Sequence, residues 1–155
     1  MSAQNSYTQT QDARIHGSLS GLNDNEIESG AAEVAIAVGI AVTRGTNERQ
    51  VIIAADADFL GLAIRDLSRE GVINTAVIDY AIEDNVSVLR SGRISLTCVS
   101  GCSAGDLVNY NDTTGIVDAG AATAGETLIG GATWETTTAV GEVGIVRIPS
   151  NVTIA

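Results

Sequence analysis

The sequence predicts an all-β protein: a compact β-barrel or jelly-roll-like sandwich of about eight short strands, carrying an extended N-terminal arm. Three observations lead there. Large apolar residues alternate with small or polar ones at period two in several short stretches, the pattern of half-buried strands. The chain is rich in Val, Ile and Thr and has 17 Gly but one Pro, which favours strands joined by glycine turns. No long stretch repeats its apolar residues at helical spacing; at most residues 64–72 hold one helical turn.

A length of 155 residues fits one domain. Aromatics are only 3% of the chain, so the core must be aliphatic. Residues 1–31 form a polar arm in which Tyr7, Ile15, Leu19, Leu22 and Ile27 are scattered apolar exceptions. Such a segment cannot build its own core. It is either a flexible tail or an arm that orders against a partner, and extended it could reach about 100 Å.

The body spans residues 32–149. Val34, Ile36, Val38, Ile40 and Val42 alternate with small residues and predict a strand, followed by a turn over 43–47. Further strands are expected at Gln50–Ala54 and, after a break at Asp56 and Asp58, at Phe59–Arg65, where Gly61 marks a bulge or close contact. Residues 66–75 read as a polar loop. Ala76–Ile82 and Val86–Leu89 flank a turn at 83–85. In Arg93–Val99, Ile94, Leu96 and Cys98 should point inward, and Arg93, Ser95 and Thr97 outward. A turn at 103–106 leads to a strand at Leu107–Tyr110, and Asn111–Gly115 is a strong turn signal. Residues 116–125 are Ala/Gly-rich and predict nothing definite. Thr127–Ala132 and Val143–Ile148 complete the series, Pro149 ends the last strand, and 150–155 is a short tail.

The residue inventory argues against an enzyme. All eight cations are arginine, so no lysine is available for a Schiff base or a phosphate loop. The single histidine, His16, lies in the arm and reads as an ordinary exposed side chain. Cys98, Cys102 and a remote His16 do not make a zinc set. The two cysteines are either reduced, semi-buried thiols or a small local disulfide. Asp24, Asn25, Glu26 and Glu28, and Asp56 with Asp58, lack the spacing of a calcium loop and read as solvated acidic loops. No metal or other cofactor is expected.

A net charge of −11 argues against nucleic-acid partners and anionic membranes. The longest apolar run, Val34–Val42, is too short for a membrane span of about 20 residues. The first thirty residues show no basic and apolar signal segment, which predicts a protein made in a cytoplasm and used there or released by lysis.

Several stretches occur in a familiar order: Ala41–Thr46 (A-V-T-R-G-T), Asp58–Asp66 (D-F-L-G-L-A-I-R-D), Asp84–Ile94, Ser103–Tyr110 (S-A-G-D-L-V-N-Y) and Gly144–Ile148. Over roughly residues 35–148 this order resembles the structural cement proteins that decorate tailed-phage capsids. The resemblance implies a non-enzymatic protein on the outer capsid surface of the virion. It would bridge phage major capsid proteins as a homo-oligomer, dimer or trimer. It carries over no catalytic residue. The candidate capsid or oligomer contacts are then Tyr7, Ile15, Leu19, Leu22 and Ile27 of the arm, and Trp134, a core or interface residue. A host-surface or carbohydrate-binding β module of a virion is the alternative, though a sugar platform would need more aromatics.

Overall fold

The computed structural model describes residues 15–21, 25–54, 58–65 and 79–154. Among them are ten strands and no helix: β1 (Glu26–Ala32), β2 (Ala41–Arg44), β3 (Gln50–Ile53), β4 (Gly61–Ala63), β5 (Asn85–Thr97), β6 (Leu107–Asn111), β7 (Val117–Ala119), β8 (Glu126–Trp134), β9 (Val143–Ile148) and β10 (Thr153–Ile154). The all-β class holds, with a mixed sheet built around β5.

The 13-residue β5 serves two sheets in turn. Its first half pairs with β1 and with β4; β4 pairs with β2, β2 with β3, and β3 returns in parallel to β1. Five strands thus pair in a closed ring, the arrangement that removes open edges. The second half of β5 pairs with β9, and the sheet continues through β8, β6 and β7, with β10 added to β8. The passage between the halves falls at Gly92, whose φ of 132° suits glycine alone. A Cβ there would collide with the Asn25 side chain.

The core divides accordingly. Ala32, Val42, Val51, Ala63, Val86 and Val88, drawn from every strand of the ring, fill its interior with Ile36, Val38, Ile40 and Tyr80. The opposite faces of the same strands, through Ala41, Leu62 and Leu89, pack on Ile94, Leu96, Tyr110, Ile129, Trp134 and Val146 of the second sheet. Alternation along β2, β4 and β5 therefore feeds two cores, so these strands are buried on both faces.

Several sequence expectations change. Val34–Val42 is not one strand: only Ala41 and Val42 lie in β2, and Ile36 makes an isolated bridge to Tyr80. Gly39, at φ 82°, turns the chain where alternation predicted straight backbone. Ile36, Val38, Ile40 and Val42 are buried all the same and Val34 partly so, because the looped segment supplies them to the ring interior. Within Ala76–Ile82, residues 76–78 lie outside the described part; Tyr80 bridges and residues 81–84 turn. Val86–Leu89 and Arg93–Val99 are one continuous strand through residue 97. Ser95 is buried, not outward, because the arm covers it. The Ala/Gly-rich 116–125 stretch contains β7, and the C-terminal tail contains β10. The loop 66–75 and most of the possible helical turn at 64–72 lie outside the described residues; Ile64 and Arg65 are not helical.

Candidate functional site

The described part of the arm is built into the body. Ser18–Ser20 runs antiparallel along β5, where the Ser95 N–H donates to the Ser18 carbonyl at 2.9 Å and the Ser20 N–H to the Arg93 carbonyl at 3.0 Å. β1 continues the same alignment further back along β5. This leaves Ile15, Leu19 and Ile27 at 50%, 38% and 47% exposed. Leu19 and Ile27 border one groove of about 550 Å³ with Ser20, Gly21 and Asn25. Tyr7 and Leu22 lie outside the described residues. Trp134 is fully buried in the core between the sheets, its indole N–H donating to the Asp118 carbonyl at 3.4 Å. Its ring is therefore not available at the surface.

His16 is not the ordinary exposed side chain that its polar surroundings suggest. The Thr97 N–H donates to Nδ1 at 2.9 Å, so Nε2 carries the proton and donates to the Val38 carbonyl at 2.8 Å. The imidazole thus ties the arm to the end of β5 and to the turn at Gly39. It lines an apolar hollow of about 250 Å³ with Val38, Ile40, Leu96, Val99 and Ile116. With both ring nitrogens bonded to backbone, it has no nitrogen left to serve a nucleophile.

A second groove, about 580 Å³, lies where β5 changes sheets. Asn25, Ser91, Arg93, Arg147 and Ser150 are among its lining residues. Asn25 fixes the wall: its Nδ2 donates to the Gly21 carbonyl at 2.6 Å, and its Oδ1 accepts from the Arg93 N–H at 3.3 Å. Glu26 and Glu28, grouped in the sequence as a solvated acidic loop, instead lie on β1 and face arginines. Glu28 meets Arg44 at 3.2 Å and Arg90 at 3.6 Å, and Glu26 meets Arg90 at 3.3 Å. Arg93 is held by Glu135 at 2.8 Å. These are exposed pairs that contribute little to stability. Asp24 and Asp56 lie outside the described residues.

Cys98 and Cys102 are free and buried. Burial pushes the Cys98 thiol up to about 12, helped by its hydrogen bond to Asp118 and by the adjacent Cys102. Burial alone would raise Asp118 as well. Hydrogen bonds from the Ser100 and Ala119 amides, the Ser100 hydroxyl and the Cys98 thiol outweigh it and hold this carboxyl below its ordinary value. The pair is a structural lock at the end of β5: a thiol held protonated is a poor nucleophile and a poor metal ligand.

The molecule thus offers grooves and an exposed apolar strip on its arm side, with its histidine and best-placed cysteine committed to structure. Comparison with known proteins decides what kind of molecule this is. Residues 3–149 match the family model described as structural cement protein (E217 gp24/Pam3 gp6). The chain belongs to the phage structural cement proteins. No curated protein matches the sequence. Among solved structures, this cement protein is similar to a chain of the capsid of Myoviridae phage XM1, with a TM-score of 0.68 and 15% identity over 96% of this chain and 98% of that one. It is also similar to the head fiber gp8.5 N base of bacteriophage phi29, with a TM-score of 0.50 and 10% identity over 83% of this chain and 98% of the other. Both likenesses are of fold.

Proposed function

We propose that this cement protein binds the outer surface of an assembled phage head and stabilises it by bridging major capsid proteins, without catalysing a reaction. The family match across residues 3–149 carries this reading. The exposed Leu19 and Ile27, set side by side where the arm and β1 run along β5, support it together with Ile15, because grouped aliphatic side chains suit a partner surface better than water. The net charge of −11 fits the outside of a shell, away from packaged DNA.

The physical scheme is linkage. A protein that binds the mature lattice and not its precursor shifts the balance toward the mature form. Many symmetry-related copies then add modest individual contributions. The test mixes the purified chain with expanded heads lacking it and with unexpanded precursor shells, followed by sedimentation. Stoichiometric addition to expanded heads, with a raised temperature of head disruption, is expected. Failure to add to expanded heads would sink the reading.

A further inference from the structure

We propose that the groove at the β5 sheet change docks an acidic segment of the capsid protein, with the Arg147 guanidinium taking one of its carboxylates. The proposal rests on the capsid-binding reading above and deepens it.

The leading observation is a broken local rule. Arg93 on β5 and Arg147 on β9 are directly paired across the two strands. Like charges opposite one another in a sheet destabilise it. The chain has 8 cations against 19 acidic residues, so two arginines facing each other run against the composition. Local rules are broken where function requires it. Glu135 neutralises Arg93 at 2.8 Å. Arg147 is exposed and has no ion pair with a carboxylate among the described residues. The facing pair therefore has one carboxylate and room for a second.

The surroundings complete a docking surface. Ser91, Ser150 and Gly92 line the groove together with the arginines and Asn25. Glu26, also on its wall, is engaged by Arg90 at 3.3 Å. Asn25 lines this groove and also the one bordered by Leu19 and Ile27, so the two grooves adjoin at that residue. A segment crossing both would place an apolar side chain on Leu19 and Ile27 and a carboxylate on Arg147. Arginine suits that role, since its planar fork binds a carboxylate through two parallel hydrogen bonds.

The experiment compares the full chain, Arg147→Glu and Arg49→Glu in sedimentation with expanded heads lacking the cement protein. Arg49 is exposed and lines a different groove, so it controls for charge alone. Arg147→Glu should weaken binding by roughly tenfold or more, the usual loss for an arginine anchor. Arg49→Glu should stay within about twofold of the unsubstituted chain, as rim charges do. If Arg147→Glu melts early, Arg147→Gln is read in its place. Unsubstituted chain and Arg147→Glu binding equally well would overturn the inference and leave capsid binding standing. Arg147→Glu that binds heads normally but alters self-association in light scattering would also overturn it, assigning the groove to a second copy. No binding by the unsubstituted chain would remove the parent reading and this one together.

Discussion

Replacing His16 with alanine tests the claim that the arm is fastened to the body. The substitution removes the bonds to the Thr97 N–H at 2.9 Å and the Val38 carbonyl at 2.8 Å. Each hydrogen bond contributes about 1 kcal/mol net, so the loss should be about 2 kcal/mol. In a domain of this size that lowers the melting temperature by about 4–8 °C. Amide exchange at Thr97 should accelerate as well, because among the described residues its N–H bonds to the ring. Gly39 offers a control on geometry. A Cβ at that position would occupy the space of the imidazole and would also meet Leu96 Cδ2 at 3.0 Å. Gly39→Ala should therefore displace His16 and add the strain of φ 82°. In a double-mutant cycle, His16→Ala with Gly39→Ala should cost less than the two singles summed, because the first change vacates the space that the second needs. An unchanged melting temperature and unchanged Thr97 exchange in His16→Ala would refute the clamp, and strict additivity would refute the crowding at Gly39.

Four further outcomes follow from the same geometry. With the folded Cys98 thiol at about 12 against 9.0 for a free one, its thiolate fraction at pH 8 falls about a thousandfold, so iodoacetamide should label it far more slowly in native protein than in urea. Because the folded value is the raised one, the associated stability is whole below pH 9.0 and is lost as pH climbs toward 12; flat urea midpoints across that window would contradict it. Gly61→Ala puts a methyl group against the Leu89 carbonyl and 2.7 Å from Val88 Cγ1, so β4 must part from β5 and the ring must open. A loss of about 3 kcal/mol in urea unfolding, or no soluble protein, is expected. Tyr80→Phe removes the buried hydroxyl that donates to the Ile64 carbonyl at 2.5 Å, and should cost about 1–2 kcal/mol by the same assay.

Strands with one buried face were legible in the sequence, since period two is a property of a single strand. Val143–Ile148 falls where expected and Gln50–Ile53 within the expected Gln50–Ala54; Leu107–Asn111 overlaps the expected Leu107–Tyr110, although there Asn109 is buried as well. The turn at Asn111 was legible too: its Oδ1 accepts from the Thr113 and Thr114 amides, a bond that asparagine makes with its near neighbours. What failed depends on partners distant in the chain. Val34–Val42 alternates as a strand would, yet its large residues are required only to reach the ring interior, and a looped path through Gly39 achieves that. β7 was invisible because Val117–Ala119 holds one large apolar residue, and its pairing comes from β6. β10 was invisible for the same reason, being two residues placed by β8.

The candidate surface was half legible, and the division has a physical cause. Leu19 and Ile27 could be picked out because an aliphatic side chain in a polar stretch must either find a core or remain as a contact. His16 could not be assigned, since a backbone clamp leaves no motif. The arginine pair was hidden twice. Its members become neighbours only through the β5–β9 register. The net charge of −11 also points away from any acidic partner. That charge describes the field at long range, which salt screens within about 10 Å. A carboxylate seated between Arg147 and its facing strand responds to what lies within hydrogen-bond reach, and there Arg147 has no carboxylate partner among the described residues. Excess negative charge can therefore keep copies of the protein apart in solution while one groove still recognises an acidic segment. Net charge bears on the first of these properties, and strand register decides the second.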